Sequence, residues 1–285
     1  MADRYFSETP ISEDRVVLVG PEAHHLVHVM RAKPGTRVVL FDGSGAEFNA
    51  QVESTGRSRV QLAVLSRQEV DRELPRELTL GVPLPKGDRQ RWLVEKAVEL
   101  GVARIVPLVT ARSVRVALAS RQGHATRPVA LASRQWDPSR LRRTVIEASK
   151  QCGRNRLMEI AEPRAWADYV ADAGDAPCRL LAQPCGHPTV TGPLSAADGH
   201  HPQGWSGRVF LAVGPEGGFT DEEVSLAVAA GWRTIDLGPR ILRVETAALM
   251  LVTMVCQVPR NAQHQDPATE PRSMGSTSPR VGAGE

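Results

Sequence analysis

Two glycine- and proline-rich stretches near the C-terminus hold the residues whose types and spacing could do chemistry. The first is GPEGG at 214–218, with Glu216 at its centre. The second is LGPRILRVE at 237–245, which carries Arg240, Arg243 and Glu245. Gly214, Gly217 and Gly218 permit positive φ and close backbone approach. Two such loops side by side at strand C-terminal ends would turn backbone N–H and C=O groups into one crevice, the usual ligand position in open α/β sheets. A lone GPEGG reads more simply as a tight turn, and it is the pairing with the charged second loop that points to a binding site. Neither loop ends in Gly-Lys-Ser/Thr, which excludes a phosphate-cradling Walker loop.

The flanking residues predict the elements that position these loops. Residues 209–213 form a short apolar, partly β-branched run, the make-up of a buried strand. Thr220 and Glu223 stand at capping-box spacing, so a helix is expected from Asp221, with Gly231 suited to a left-handed C-cap. The second round predicts a strand over 234–237, then the loop, then an almost wholly apolar helix over 246–258 that Pro259 ends. A helix apolar on all sides belongs inside a domain or at a subunit interface.

A chain of 285 residues can bury one large or two modest cores. Net charge is only +3, but residues 73–160 carry 17 basic and 8 acidic side chains. Arginine outnumbers lysine 31 to 4, which suits phosphate and base recognition. Cys152, Cys178, Cys185 and Cys256 form no C-x-x-C pair, so neither a zinc site nor a disulfide framework is expected. The N-terminus lacks an apolar signal core, and no apolar run approaches the roughly 18 residues of a membrane span. The expectation is a soluble cytoplasmic protein.

Residues 1–72 alternate short β-branched runs (15–19, 37–41, 47–52, 59–65) with turn residues such as Asp42-Gly43, predicting a small β-barrel. One helix, over 21–31, interrupts it. His24, His25 and His28 share this segment without a carboxylate or thiol at ligand spacing, so no metal is expected. From 76 to 258 the pattern is α/β: strands at 78–82, 104–110 and 179–183, and a helix over 89–100 capped by Asp88. Trp92, Leu93, Ala97 and Leu100 are expected on its buried face. Asp137-Pro138 starts a further helix whose polar face holds Arg140, Arg143, Glu147 and Lys150, with Arg154 and Arg156 beyond its Gly153 cap. VALASRQ at 116–122 returns at 129–135, a local duplication in a surface loop. Residues 260–285 are Pro-, Ser-, Gly- and Gln-rich and predict a disordered tail.

GPEGGFTDEEV together with LGPRILRVETAAL resembles the RsmE family of 16S ribosomal RNA uridine-N3 methyltransferases, in the SPOUT superfamily. HHLVHVMR, Pro34-Gly35 and LFDGSG resemble the PUA-like module at the front of that family, and IEASKQCGRNR resembles a further family motif. The resemblance implies a SPOUT-type knotted methyltransferase domain over 76–258, with a C-terminal trefoil knot, behind a PUA-like β-barrel over 1–72. It also implies a homodimer, S-adenosylmethionine as cofactor, and 16S ribosomal RNA or the small subunit as partner. Gln183, Pro184, Gly214, Pro215, Glu216, Gly217, Gly218, Leu237, Gly238, Arg240, Ile241 and Leu242 would hold the cofactor. Arg243 would stabilise the deprotonated base, and Glu216 or Glu245 would accept its proton. Arg4, Arg31, Arg143, Lys150 and Arg154 would contact RNA. The alternatives are a non-catalytic RNA-binding ribosome-assembly factor and a SPOUT methyltransferase acting at another RNA position. Ribose 2′-O methylation is disfavoured because the N-x-G-x-x-R signature of that family is not found.

Overall fold

Alternation of buried and exposed side chains builds the N-terminal sheet. In β2 (Arg15–Val19), Val16 and Leu18 point inward while Arg15, Val17 and Val19 face out. With β1 (Arg4–Phe6), β3 (Arg37–Phe41), β4 (Ala46–Thr55) and β5 (Arg59–Glu69) it forms a five-stranded sheet of order β1-β3-β4-β5-β2. Tyr5, Leu40, Phe48, Val52 and Leu62 fill its core. The computed structural model describes residues 3–113, 138–183, 189–190 and 207–256. Pro184, Cys185, Asp137, the repeat at 116–135 and the expected tail at 260–285 lie outside the described residues.

The expected single helix over 21–31 is two short pieces. α1 (Gly20–His24) passes into a π-helical turn, His25–Val29, and Met30 N–H donates to His25 O. Arg31 ends the turn at φ 53°, the one non-glycine residue in the left-handed region among the described residues. Ala32 N–H reaches back to Leu26 O at 3.0 Å, so Arg31 occupies the position that glycine usually takes after a helix.

The second sheet is parallel throughout its ladders. β6 (Arg76–Val82), β7 (Arg104–Val109), β8 (Glu159–Ile160), β10 (Cys178–Ala182), β11 (Thr189–Val190), β12 (Gly207–Val213) and β13 (Arg233–Ile235) run in the order β11-β13-β10-β12-β6-β7-β8. A short β9 (Arg164–Ala165) pairs with β7. These strands read as continuous apolar runs because both faces are covered. Leu78, Leu80 and Val82, with Val209, Leu211 and Val213, pack against α2 (Asp88–Glu99), α3 (Pro138–Cys152) and α6 (Val244–Cys256). Phe210 and Ala212 turn to the other face, against α4 (Trp166–Asp172) and α5 (Asp221–Ala229).

Several sequence expectations shift in detail. Asp88 is the first residue of α2 rather than its cap; Gly87, at φ 64°, takes the cap position without a side-chain bond. Leu93, Val94, Ala97 and Val98 make the buried stripe, while Trp92 is 44 % exposed. Leu100 is only partly buried, because the i, i+4 stripe runs one position off the expected face. β1, β9 and α4 carry no pattern long enough to be foreseen.

Helix α3 is the seam between the two sheets. Its Ile146 joins Phe6 and Phe41 in a small apolar cluster. Around it, Arg142 holds Glu8 with two bonds of 2.8 and 2.7 Å, and Lys150 reaches Glu22 at 2.9 Å. Just beyond the helix, Asn155 and Arg4 are joined to each other and to Glu47.

Candidate active site

Strand order decides where the two loops go. β10 lies between β12 and β13, and the parallel register sets Ala182 level with Val213 on one side and with Ile235 on the other. The chain therefore leaves all three strands at one edge, and the end of β10 with the loops after β12 and β13 lines a cavity of about 310 Å³. That volume is in the range of small-molecule sites. The capping box is complete: Glu223 N–H donates to Thr220 Oγ1 at 3.2 Å, and Thr220 N–H to Glu223 Oε2 at 2.9 Å. It starts α5 directly behind the first loop. In the second loop Asp236 Oδ1 accepts from Gly238 N–H at 2.9 Å, and Gly238 takes φ 104°, which its lack of a Cβ allows.

The cavity wall includes Gln183, Gly214, Pro215, Glu216, Gly218, Leu237, Gly238, Arg240, Ile241 and Leu242. Gly217 faces away from it, and Pro184 lies outside the described residues. Gln183 N–H is held by Ile235 O at 3.0 Å, while its side-chain Oε1 is buried without a partner among the described residues. A buried acceptor left unpaired is costly. Ile241 contributes to the wall yet is 99 % exposed.

The three expected catalytic residues part company. Glu216 is at the cavity wall and 61 % exposed, whereas the Glu245 side chain is 7 % exposed at the first turn of α6. One guanidinium nitrogen, Arg89 Nη1 of α2, lies 3.7 Å from Glu245 Oε1 and 4.0 Å from Glu216 Oε1, so both carboxylates face the same point. Glu245 Oε2 is buried and has no hydrogen-bond partner among the described residues. Arg243 is exposed and outside the cavity wall; its carbonyl accepts from Ala247 N–H at 2.9 Å and opens α6. Arg89 was missed by sequence reasoning because nothing in the helix pattern separates it from Arg91, also exposed on the same helix.

The expected RNA contacts divide in the same way. Arg31 and Arg143 are exposed. Arg4, Lys150 and Arg154 are not free surface residues, and for them the expectation is corrected. Arg154 is 4 % exposed; Nε and Nη2 hold Glu73, and Nη1 donates to Val98 O and Val102 O at 3.0 and 2.9 Å. Arg4 bonds Glu47 and Asn155, and Lys150 bonds Glu22. For Lys150 the cause is the docking of α3 against the N-terminal region, and for Arg154 it is the closing of the segment after α3 onto Glu73 and the end of α2. Among the described residues no group of three or more side chains could hold a metal, and no helix is long and apolar enough to cross a membrane.

Comparison with known proteins adds the chemistry. The family described as "RNA methyltransferase domain" matches residues 72–256, and "RNA methyltransferase PUA domain" matches residues 18–65. Ribosomal RNA small subunit methyltransferase E of Bacillus subtilis is 30 % identical over 241 residues, 84 % of this chain and 88 % of its own. The same-named protein of Mycobacterium tuberculosis is 29 % identical, covering 88 % of this chain and 89 % of its own. Among solved structures, ribosomal RNA small subunit methyltransferase E from Neisseria gonorrhoeae bound to S-adenosyl methionine superposes with a TM-score of 0.70 at 27 % identity, covering 89 % of this chain and 96 % of that one. A methyltransferase from Legionella pneumophila in complex with the bound cofactor SAM gives 0.73 at 28 % identity, covering 90 % and 97 %.

Proposed function

The chain belongs to the RNA methyltransferase family, and from that premise we propose that it methylates N3 of a uridine in 16S ribosomal RNA, with S-adenosylmethionine as methyl donor. The observation that carries the reading is the meeting of three strand ends and two glycine loops on one cavity, with the buried Gln183 Oε1 at its wall. The wall suits the cofactor: apolar Val213 and Leu242 for its hydrocarbon, backbone groups of the two loops for its polar atoms, and Gln183 Oε1 for an amino or hydroxyl hydrogen. When bound, S-adenosylmethionine supplies a methyl group on a sulfonium cation.

The protein's own residues then have three tasks. Gln183, Gly214, Gly218, Leu237 and Gly238 hold the cofactor through the cavity wall. A carboxylate, Glu216 or Glu245, takes the proton from uridine N3, which must leave before attack is effective. A guanidinium stabilises the resulting anion; Arg243, at the open end of the second loop, is assigned that task, which requires it to turn inward over the acceptor base. An anion and a cation combine to give neutral products, so exclusion of water favours the reaction.

The same reading makes the small ribosomal subunit or its RNA the substrate, the cytoplasm the place of action and a homodimer the working form. The fully exposed Ile241 at the cavity wall is the kind of side chain that a second subunit covers. The knotted path of the family belongs to this proposal as well. Mass mapping of modified nucleosides in ribosomal RNA from a strain lacking the protein tests it. Loss of one N3-methyluridine from 16S RNA is expected, and an unchanged nucleoside profile would overturn it.

A further inference from the structure

The first glycine loop is gripped from outside the cavity by a residue that belongs to neither loop. Arg112 follows β7, in a short turn braced by Ser113 N–H to Thr110 O at 3.1 Å and by Thr110 N–H to Ser113 Oγ at 3.0 Å. Its Nη1 donates to Gly217 O at 2.8 Å and to Phe219 O at 3.2 Å. Beside it, Ala111 N–H donates to Glu223 Oε1 at 2.7 Å, while the other oxygen of that carboxylate completes the α5 capping box. The turn after β7 is thus fastened to both ends of one unit, the loop and the helix start that follows it.

Gly217 is the residue of GPEGG that does not face the cavity, and it is the one whose carbonyl Arg112 holds. Downstream the loop is already fixed, because Phe219 is buried and packs against Trp166 with ring centroids 4.4 Å apart and planes tilted by 40°. Upstream it is fixed by the end of β12. Between those points the loop's own bond is Gly218 N–H to Pro215 O at 2.8 Å, and three glycines leave the backbone many other shapes.

We propose that Arg112 is a positioning residue for the methyl-donor site: it holds Gly217 and Phe219 by their carbonyls so that Gly214, Pro215, Glu216 and Gly218 keep their cavity-facing shape. This rests on the reading of the cavity as a methyl-donor site. Arg112 does not touch the cavity; it acts through the loop. Both bonds come from one nitrogen, so a lysine ammonium can replace them, whereas a neutral apolar side chain cannot.

Calorimetric titration of the full chain with S-adenosylmethionine tests the assignment. Arg112→Met, which removes both bonds to the loop backbone, is expected to weaken donor binding about tenfold. Arg112→Lys is expected to recover most of that loss, and RNA affinity measured by filter binding to stay unchanged. The KM for the donor rises with it. Donor binding by Arg112→Met equal to wild type, or a loss confined to RNA affinity, overturns the proposal. An equal loss in Arg112→Lys overturns it too. If the wild-type chain itself binds no donor, the reading of the cavity fails instead. Thermal unfolding of each variant shows whether it is folded; Phe219→Leu, which loosens the loop from its other end, supplies a second probe and should weaken donor binding in a folded protein.

Discussion

Arg89 Nη1 lies 3.7 Å from Glu245 Oε1, joining the first turn of α2 to the first turn of α6. The Glu245 side chain is 7 % exposed and that of Arg89 46 %, so the carboxylate is held inside while its counter-ion remains wet. Removing the arginine leaves a buried charge alone, whereas removing the carboxylate leaves a cation that water can solvate. Breaking a fully buried pair costs about 3–5 kcal/mol, and the exposure of Arg89 scales this to about 1–2 kcal/mol. Arg89→Gln should therefore lower the urea midpoint more than Glu245→Gln does, and the double variant should be more stable than Arg89→Gln alone. Equal stability of Arg89→Gln and wild type would mean that the bridge is idle.

Arg31 separates folding from binding. It stands at φ 53°, where glycine avoids a penalty of about 1 kcal/mol. Arg31→Gly should raise stability by roughly that amount while weakening RNA binding. Arg143→Glu should lower RNA affinity and reduce the salt slope by about one contact's worth. Lys150→Glu, which puts a carboxylate against Glu22, should instead loosen the seam between the two sheets. Filter binding across a salt series, with thermal melts of the same variants, distinguishes these outcomes.

The seam should open in acid. In Glu8, the hydrogen bond from Arg142 is the main cause that holds the carboxyl below its ordinary range. In Glu47, burial pushes the carboxyl upward, but the hydrogen bonds from Arg4 and Arg72 outweigh it, and the net shift is downward. Groups lowered in the folded state contribute stability that is fully present above the ordinary carboxylate range and is lost as pH falls through the lowered value. The protection factor of the Ser7 amide, whose N–H donates to Phe41 O, should fall below about pH 4. Glu47→Gln should flatten that acid dependence. Glu8 is largely exposed and should contribute less.

Gly81 in β6 is set by its neighbour. A Cβ there would lie 2.5 Å from the Tyr169 ring, whose hydroxyl donates to Leu211 O at 2.9 Å inside the core. Gly81→Ala should cost about 2–3 kcal/mol by overpacking, and Tyr169→Phe about 1 kcal/mol through the lost bond. Thermal unfolding checks both. A Gly81→Ala protein that melts with wild type would show that α4 moves aside freely.

Local chemistry was legible in the residues themselves. Thr220 and Glu223 announce the start of α5 because a capping box needs only two residues three positions apart, and both its hydrogen bonds are present. Gly231, at φ 80°, ends that helix region as expected, and the apolar 209–213 run lies inside β12. The paired loops likewise follow from glycine, proline and strand ends, and family resemblance supplied the cofactor.

What only the tertiary structure decided is which distant residues meet. No periodicity orders β10 between β12 and β13, yet that order alone brings Gln183 beside Gly214 and Leu237. Nor does the arginine-rich pattern of α3 say that Lys150 and, beyond the helix, Arg154 turn inward to Glu22 and Glu73 while Arg143 stays in solvent. Backbone preference and capping act over a few residues and can be read in order along the chain. Ion pairing and strand order depend on contacts between residues far apart in the chain, as between Cys178 and Val209 in neighbouring strands or Arg154 and Glu73, 81 positions apart. Packing of the whole apolar core, rather than any local signal, selects among them.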